Sequence, residues 1–142
     1  LGNICRSPMA EALFVHEVQQ RGLADDWQAA SAGTGAWHVG EPPDSRAATA
    51  LRKRGIPVAH KARQVQAADF DRFDHIIAMD GDNLAVLEDL RPGRGPQPRL
   101  FGDWDPAGAG DVGDPYYGGP EGFERVYEQV LRCCRGFLDA HG

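Results

Sequence analysis

A chain of 142 residues is long enough for one domain with a conventional core, able to bury about two-thirds of the surface it would expose unfolded, and it needs no second domain. Its 42% hydrophobic and 25% charged content are those of a globular protein, and nowhere do roughly 18 apolar residues run together as a membrane span requires. A net charge of -6 argues against a nucleic-acid partner, whose phosphate backbone is held by clustered Lys and Arg, so any anion must be captured locally.

The first predicted element is a helix. Ser7-Pro8 reads as an N-cap followed by proline at the first helical position, and Met9, Leu13, Phe14 and Val18 carry the helix to about Gln20 before Gly22 ends it. Gln28 to Ala32 form a short apolar run suited to a buried strand, and Gly33 to Pro43 a Gly/Pro-containing loop. A helix is expected from about Asp44 to Arg54. His75-Ile76-Ile77-Ala78-Met79, bounded by Asp80-Gly81, fits a strand buried on both faces. Helix follows from about Asn83 to Leu90, then an extended piece near Arg99 to Phe101.

Gly102 to Pro120 is a long Asp/Gly/Pro-rich segment, of a length that inside compact domains is usually functional. In the final helix Phe123, Val126, Tyr127, Val130, Leu131, Cys134, Phe137 and Leu138 recur at the spacing of one buried face. Cys133 and Cys134 read as packing residues, and three cysteines make no disulfide framework. With no charged-then-apolar signal segment, a cytoplasmic monomer is expected. Strands alternating with helices imply an α/β fold in which a small central parallel sheet carries helices on both faces, as a single domain over 1–142. Ligands of such sheets bind beyond the carboxyl ends of the strands.

The opening residues LGNICRSP lie at that edge. Gly2 and Asn3 tolerate unusual backbone angles, so the loop can curl with successive N–H groups pointing inward as an anion-binding nest. The following helix adds its positive dipole end, and Arg6 can grip two phosphate oxygens with a planar fork that Lys cannot reproduce. A phosphate dianion is the expected ligand. Metal binding finds little support: no His pair has ligand spacing, and Asp80-Gly81-Asp82-Asn83-Leu84 puts leucine where a calcium loop needs oxygen. Gly108 to Gly113 satisfies G-x-G-x-x-G, but it stands in a loop before Asp114-Pro115 and not between a strand and a helix, so no dinucleotide site is expected.

LGNICRSPMAEALF resembles the phosphate-binding loop and first helix of the low-molecular-weight protein-tyrosine phosphatases, whose signature is C-x-x-x-x-x-R-[ST]. The likeness continues through Gly55-Ile56-Pro57 to His60, Ala62-Arg63-Gln64, Asp69-Phe70, Phe73-Asp74 and Met79-Asp80. It implies hydrolysis of phosphotyrosine in proteins without a cofactor, with Leu1, Gly2, Asn3, Ile4, Cys5, Arg6 and Ser7 around the phosphate and a nucleophilic cysteine directly before Leu1. An apolar strand is expected before that cysteine. The alternative for a chain truly without the thiol is a phosphopeptide-binding module that does not turn over.

By the same resemblance Asp114, in Gly113-Asp114-Pro115-Tyr116-Tyr117-Gly118, is the general acid, and Tyr116, Tyr117 and Trp37 wall the substrate pocket. Asn3, Ser7, Ser31 and His60 brace the loop, and Cys5 could pair with the nucleophile in a protective disulfide. Asp80 reads either as a residue fixing a loop near the site or simply as the N-cap of the next helix. Thiol-coupled arsenate reduction is disfavoured because no cysteine occurs between Cys5 and Cys133. Protein-arginine phosphatase is the nearer rival; Ile4 and the Tyr116-Tyr117 pair favour phosphotyrosine.

Overall fold

The fold was analysed on a computed structural model, which describes residues 6–33, 40, 42, 44–56, 63–107, 111–112 and 120–141. Helix α1 runs Arg6–Gln20, α2 Ser45–Arg52, α3 Asp69–Arg72, α4 Gly81–Leu90 and α5 Pro120–His141; strands β1, Ile77–Ala78, and β2, Arg99–Leu100, form a parallel pair. A second parallel contact is the bridge between Gly33 and Gln64. The α/β class and the parallel pairing expected from the sequence are present.

The boundaries shift for identifiable reasons. Helix α1 opens at Arg6, so Ser7 lies inside the first turn and does not cap it. Pro8 is then the third helical residue, which costs no hydrogen bond because the first four N–H groups of a helix have no intrahelical acceptor. Helix α2 starts as expected behind Asp44, whose carboxylate accepts from the Arg46 N–H at 2.9 Å. Helix α4 begins two residues earlier than the periodicity suggests, because Asp80 caps it by accepting from the Asn83 N–H at 2.8 Å. The segment read as one loop from Gly102 opens with a 3-10 turn, Phe101–Trp104, and ends where α5 starts at Pro120.

Helices α1, α2 and α5 pack on one another around Met9, Leu13, Leu51, Phe123, Val130 and Leu138, all buried. The predicted buried face of α5 is observed for Phe123, Val126, Tyr127, Val130, Cys134, Phe137 and Leu138, while Leu131 is only half-buried and Cys133 is buried in addition. Each fully buried large side chain of this kind contributes about 1.5–3 kcal/mol. Glu17 of α1 is clasped by Arg135 of α5 at 3.3 Å and by Arg21 at 3.9 Å, and Arg21 also reaches Asp139 at 2.9 Å. On the other side of β1, Phe70, Ala78 and Leu87 form a second cluster with Ile76, Leu84 and Leu100. Helices therefore flank the sheet on both faces.

Two ends of the fold meet in a ring cluster. Phe137 packs edge-on against Phe14, Trp27, His75 and Trp104 at centroid distances of 5.8, 5.5, 5.2 and 4.9 Å, and stacks on His141 at 4.2 Å. Gly136 lets this happen, because a Cβ there would fall on the carbonyl oxygen of Trp104.

Between the Gly33–Gln64 bridge and the β1–β2 pair lies a cavity of about 600 Å³. It is walled by Ser31 to Gly33 on one side and His75 to Met79 on the other, with Phe14 and Phe137 from one helical layer and Asn83 and Leu87 from the other. Two of its walls depart from expectation. Gln28 to Ala32 carry no regular secondary structure and are half-exposed or exposed, and in the run His75 to Met79 only Ile77–Ala78 are strand, with His75 exposed. Around these runs, Val65 N–H donates to Gly33 O at 2.8 Å, Arg99 N–H to Ile76 O at 3.0 Å and Val112 N–H to Met79 O at 2.7 Å.

Candidate functional site

The site is built around Arg6, the first residue of α1, which is only 4% exposed. An arginine at a helix N-terminus is electrostatically unfavourable, since the helix dipole presents positive charge there. It is tolerated where its own charge is matched. Nη1 of Arg6 donates to Oδ2 of Asp80 at 2.5 Å and to the Val112 carbonyl at 2.7 Å. Both hydrogens of that nitrogen are thereby committed to protein acceptors.

Asp80 has a double duty. Its Oδ1 accepts from the Asn83 N–H while Oδ2 takes Arg6, so a single carboxylate joins the starts of α1 and α4. Burial pushes its pKa up, but the Arg6 hydrogen bond, the Asn83 N–H and the Arg6 charge together hold it below the ordinary carboxylate value of 3.8. Of the two readings of Asp80 drawn from the sequence, the N-cap of α4 is present, and the contact with Arg6 is made beside it.

Val112 makes the junction three-way. Its N–H donates to the Met79 carbonyl at 2.7 Å while its own carbonyl accepts from Arg6, so the segment leading to Asp114 is laid against the end of β1. The same segment is anchored to α5 further upstream. Asp105, whose side chain is wholly buried, accepts from Arg132 Nε at 2.9 Å and Nη2 at 3.2 Å, and from the Ala107 N–H at 2.9 Å; Gln129 Nε2 donates to the Asp111 carbonyl at 3.1 Å.

Of the residues singled out in the sequence, Arg6, Ser7 and Ser31 are described. Ser7 borders the cavity, and the Ser31 hydroxyl, on the wall of the same cavity, donates to Glu11 Oε1 at 2.7 Å. Leu1, Gly2, Asn3, Ile4, Cys5, Trp37, His60, Asp114, Tyr116 and Tyr117 lie outside the described residues. Sequence reasoning did not find Glu11 or the Val112 carbonyl. A main-chain acceptor leaves no trace in residue type, and Glu11 looked like any solvated helix position.

The sequence profile of the low molecular weight phosphotyrosine protein phosphatases matches residues 1–141. The chain belongs to that family. A family member from Sus scrofa, named a low molecular weight phosphotyrosine protein phosphatase, is 44% identical over 146 residues, covering 98% of this chain and 90% of its own length. Among solved structures, a protein tyrosine phosphatase from Entamoeba histolytica with Hepes in its active site superposes with a TM-score of 0.94 at 38% identity, covering 98% of this chain and 90% of that one. The Drosophila arginine phosphatase superposes with a TM-score of 0.93 at 39% identity, covering 99% and 93%. Members of the family fold are therefore known with either name, and the chain's fold is theirs over nearly its whole length.

The two adjacent cysteines of α5 stand apart from this chemistry. Burial pushes the Cys133 thiol up to about 12 and raises that of Cys134 as well, so neither presents a thiolate near neutral pH.

Proposed function

We propose that the protein hydrolyses phosphotyrosine in proteins, and small aryl phosphates, through a cysteinyl-phosphate intermediate. The observation that carries this reading is Arg6: a buried guanidinium at the anion-attracting end of a 15-residue helix, held in place by Asp80 and tied through Val112 to the segment containing Asp114. In this reading the backbone of Leu1 to Cys5 and the fork of Arg6 hold the phosphate, with Ser7, Ser31, Asn3 and His60 bracing the loop. The thiolate attacks phosphorus while Asp114 protonates the departing phenolate oxygen. Water then attacks the cysteinyl-phosphate with the Asp114 carboxylate as base, returning the thiolate and inorganic phosphate. Tyr116, Tyr117 and Trp37 provide flat faces for the aryl ring.

The nucleophile in this mechanism precedes Leu1, on an extended segment that enters the loop. The cavity supports that reading, because it lies between two parallel strand contacts, spans from one helical layer to the other and has Ser7 on its wall. A strand spaced about 4.8 Å from each neighbour is what such a gap accommodates. Intact mass of the native protein tests it; a value matching these 142 residues alone would leave only a phosphopeptide receptor.

A phenolate whose conjugate acid has a pKa of about 10 leaves slowly without a proton donor, and general acid catalysis contributes about 10²–10⁴-fold. Asp114→Ala is expected to depress turnover by that order for phenyl phosphate and far less for a nitrophenyl ester. Equal losses on the two would remove Asp114 from the role. The Drosophila neighbour favours one second reading, phosphoarginine as substrate; phosphotyrosine and phosphoarginine peptides assayed side by side decide between them. Cys5 would protect the nucleophile by losing, with it, two hydrogens to a peroxide and closing a disulfide. A cytoplasmic monomer acting on phosphoproteins, with neither nucleic acid nor membrane as partner, completes the reading; among the described residues no helix is long and apolar enough to cross a membrane.

A further inference from the structure

We propose that Asp80 is a positioning residue for the reaction, acting through Arg6 by fixing the plane of its guanidinium. This rests on the reading of Arg6 as the phosphate-gripping group. A guanidinium held at one point can swing about that contact; held at two, its plane is set. Two such points are Oδ2 of Asp80 and the Val112 carbonyl, both on Nη1. The Val112 point is itself fixed, because that residue's N–H is bound to Met79 and its side chain is fully buried. The Asp80 point is fixed by the cap on α4. Arg6 is thus registered at once against α4, against β1 and against the segment that leads to Asp114. Removing Asp80 takes away one of these contacts on Nη1, and with it a carboxylate charge beside a buried cation.

The cap and the arginine contact use different oxygens of one carboxylate, so they can be separated. Asp80→Ser keeps an N-capping oxygen for the Asn83 N–H but is too short to reach Arg6. In the full-length protein, Asp80→Ser is expected to lower kcat/KM for nitrophenyl phosphate ten-fold or more and to weaken binding of tungstate, a tetrahedral oxyanion read by calorimetry, by a similar factor. In an Arg6→Lys background the same substitution is expected to weaken tungstate binding less than two-fold, because the group it acts through is gone. A merely structural Asp80 would give the same loss in both backgrounds. Asp80→Asn, which keeps the shape and a cap acceptor while removing the charge, serves if the serine variant does not fold. Tungstate affinity within two-fold of the parent in either variant, or equal losses with and without Arg6, overturns the proposal. A parent that binds tungstate but cleaves no aryl phosphate would defeat the catalytic reading and leave this one standing.

Discussion

Gly136 pits local helix preference against tertiary fit, and the two forces predict opposite signs. In the interior of the 22-residue α5, replacing glycine with alanine gains about 1 kcal/mol from propensity alone. Yet the added Cβ would sit on the Trp104 carbonyl oxygen, 3.0 Å from the carbonyl carbon and 3.3 Å from the Trp104 Cβ, where carbon atoms prefer about 3.5–4.0 Å. The obstacle is backbone, so no rotamer change relieves it. Overpacking of this kind costs about 1–3 kcal/mol or more, and with the helix forced off the 3-10 turn the Phe137–Trp104 contact at 4.9 Å opens as well. Gly136→Ala is expected to lose about 2 kcal/mol net, lowering Tm by about 6 °C for a chain of this size. Urea unfolding followed by tryptophan emission measures it. A variant as stable as the parent, or more stable, would show that α5 can shift away from Trp104 at no cost and would refute the close-approach argument.

Asp105→Ala removes three accepted hydrogen bonds, but Arg132 is 40% exposed and can rehydrate, so the expected loss is about 2 kcal/mol in urea and less than a fully buried stranded partner would give. Burial, and next the charge of His141, lower the His75 pKa below 6.5 against the opposing pull of Asp74. The unfolded chain then binds the extra proton more readily, so this contribution to stability is intact above pH 6.5 and is lost as pH falls through that value. His75→Phe keeps a ring against Phe137 and is expected to flatten the fall in urea midpoint between about pH 7.5 and 5.5; an unchanged fall would place the titration elsewhere. With their thiols raised by burial, Cys133 and Cys134 are expected to resist iodoacetamide in the native protein near pH 8 and to label fully in denaturant, as peptide mapping would show.

Features written in a short span of sequence were legible. The three- and four-residue spacing from Phe123 to Leu138 predicts the buried face of α5 because a helix repeats within a few residues. Asp44 and Asp80 announce helix starts because capping chemistry is local. The strands were harder. Gln28 to Ala32 and His75 to Met79 have the composition of central strands, but a strand forms only where another segment offers its backbone as partner, and composition does not say which segment that is. Ser7 was read as a cap from residue type but lies within helix α1, and the Arg6 beside it is held by Asp80 and Val112. Those two partners are 74 and 106 residues away in the chain, a separation at which no pattern in the sequence signals contact. At the candidate site, the residue types that do chemistry were visible, and the groups that hold Arg6 in place were visible only in three dimensions.

The ring cluster around Phe137 also gives the protein an internal optical gauge. Trp27 lies 5.9 Å from the His75 ring and 6.4 Å from that of His141, and Trp104 lies 5.9 Å from His141. Indole emission depends on the groups packed against the ring, so these contacts set the brightness of both fluorophores. Brightness would then track how closely the last turn of α5 stays seated, a signal obtained without any label.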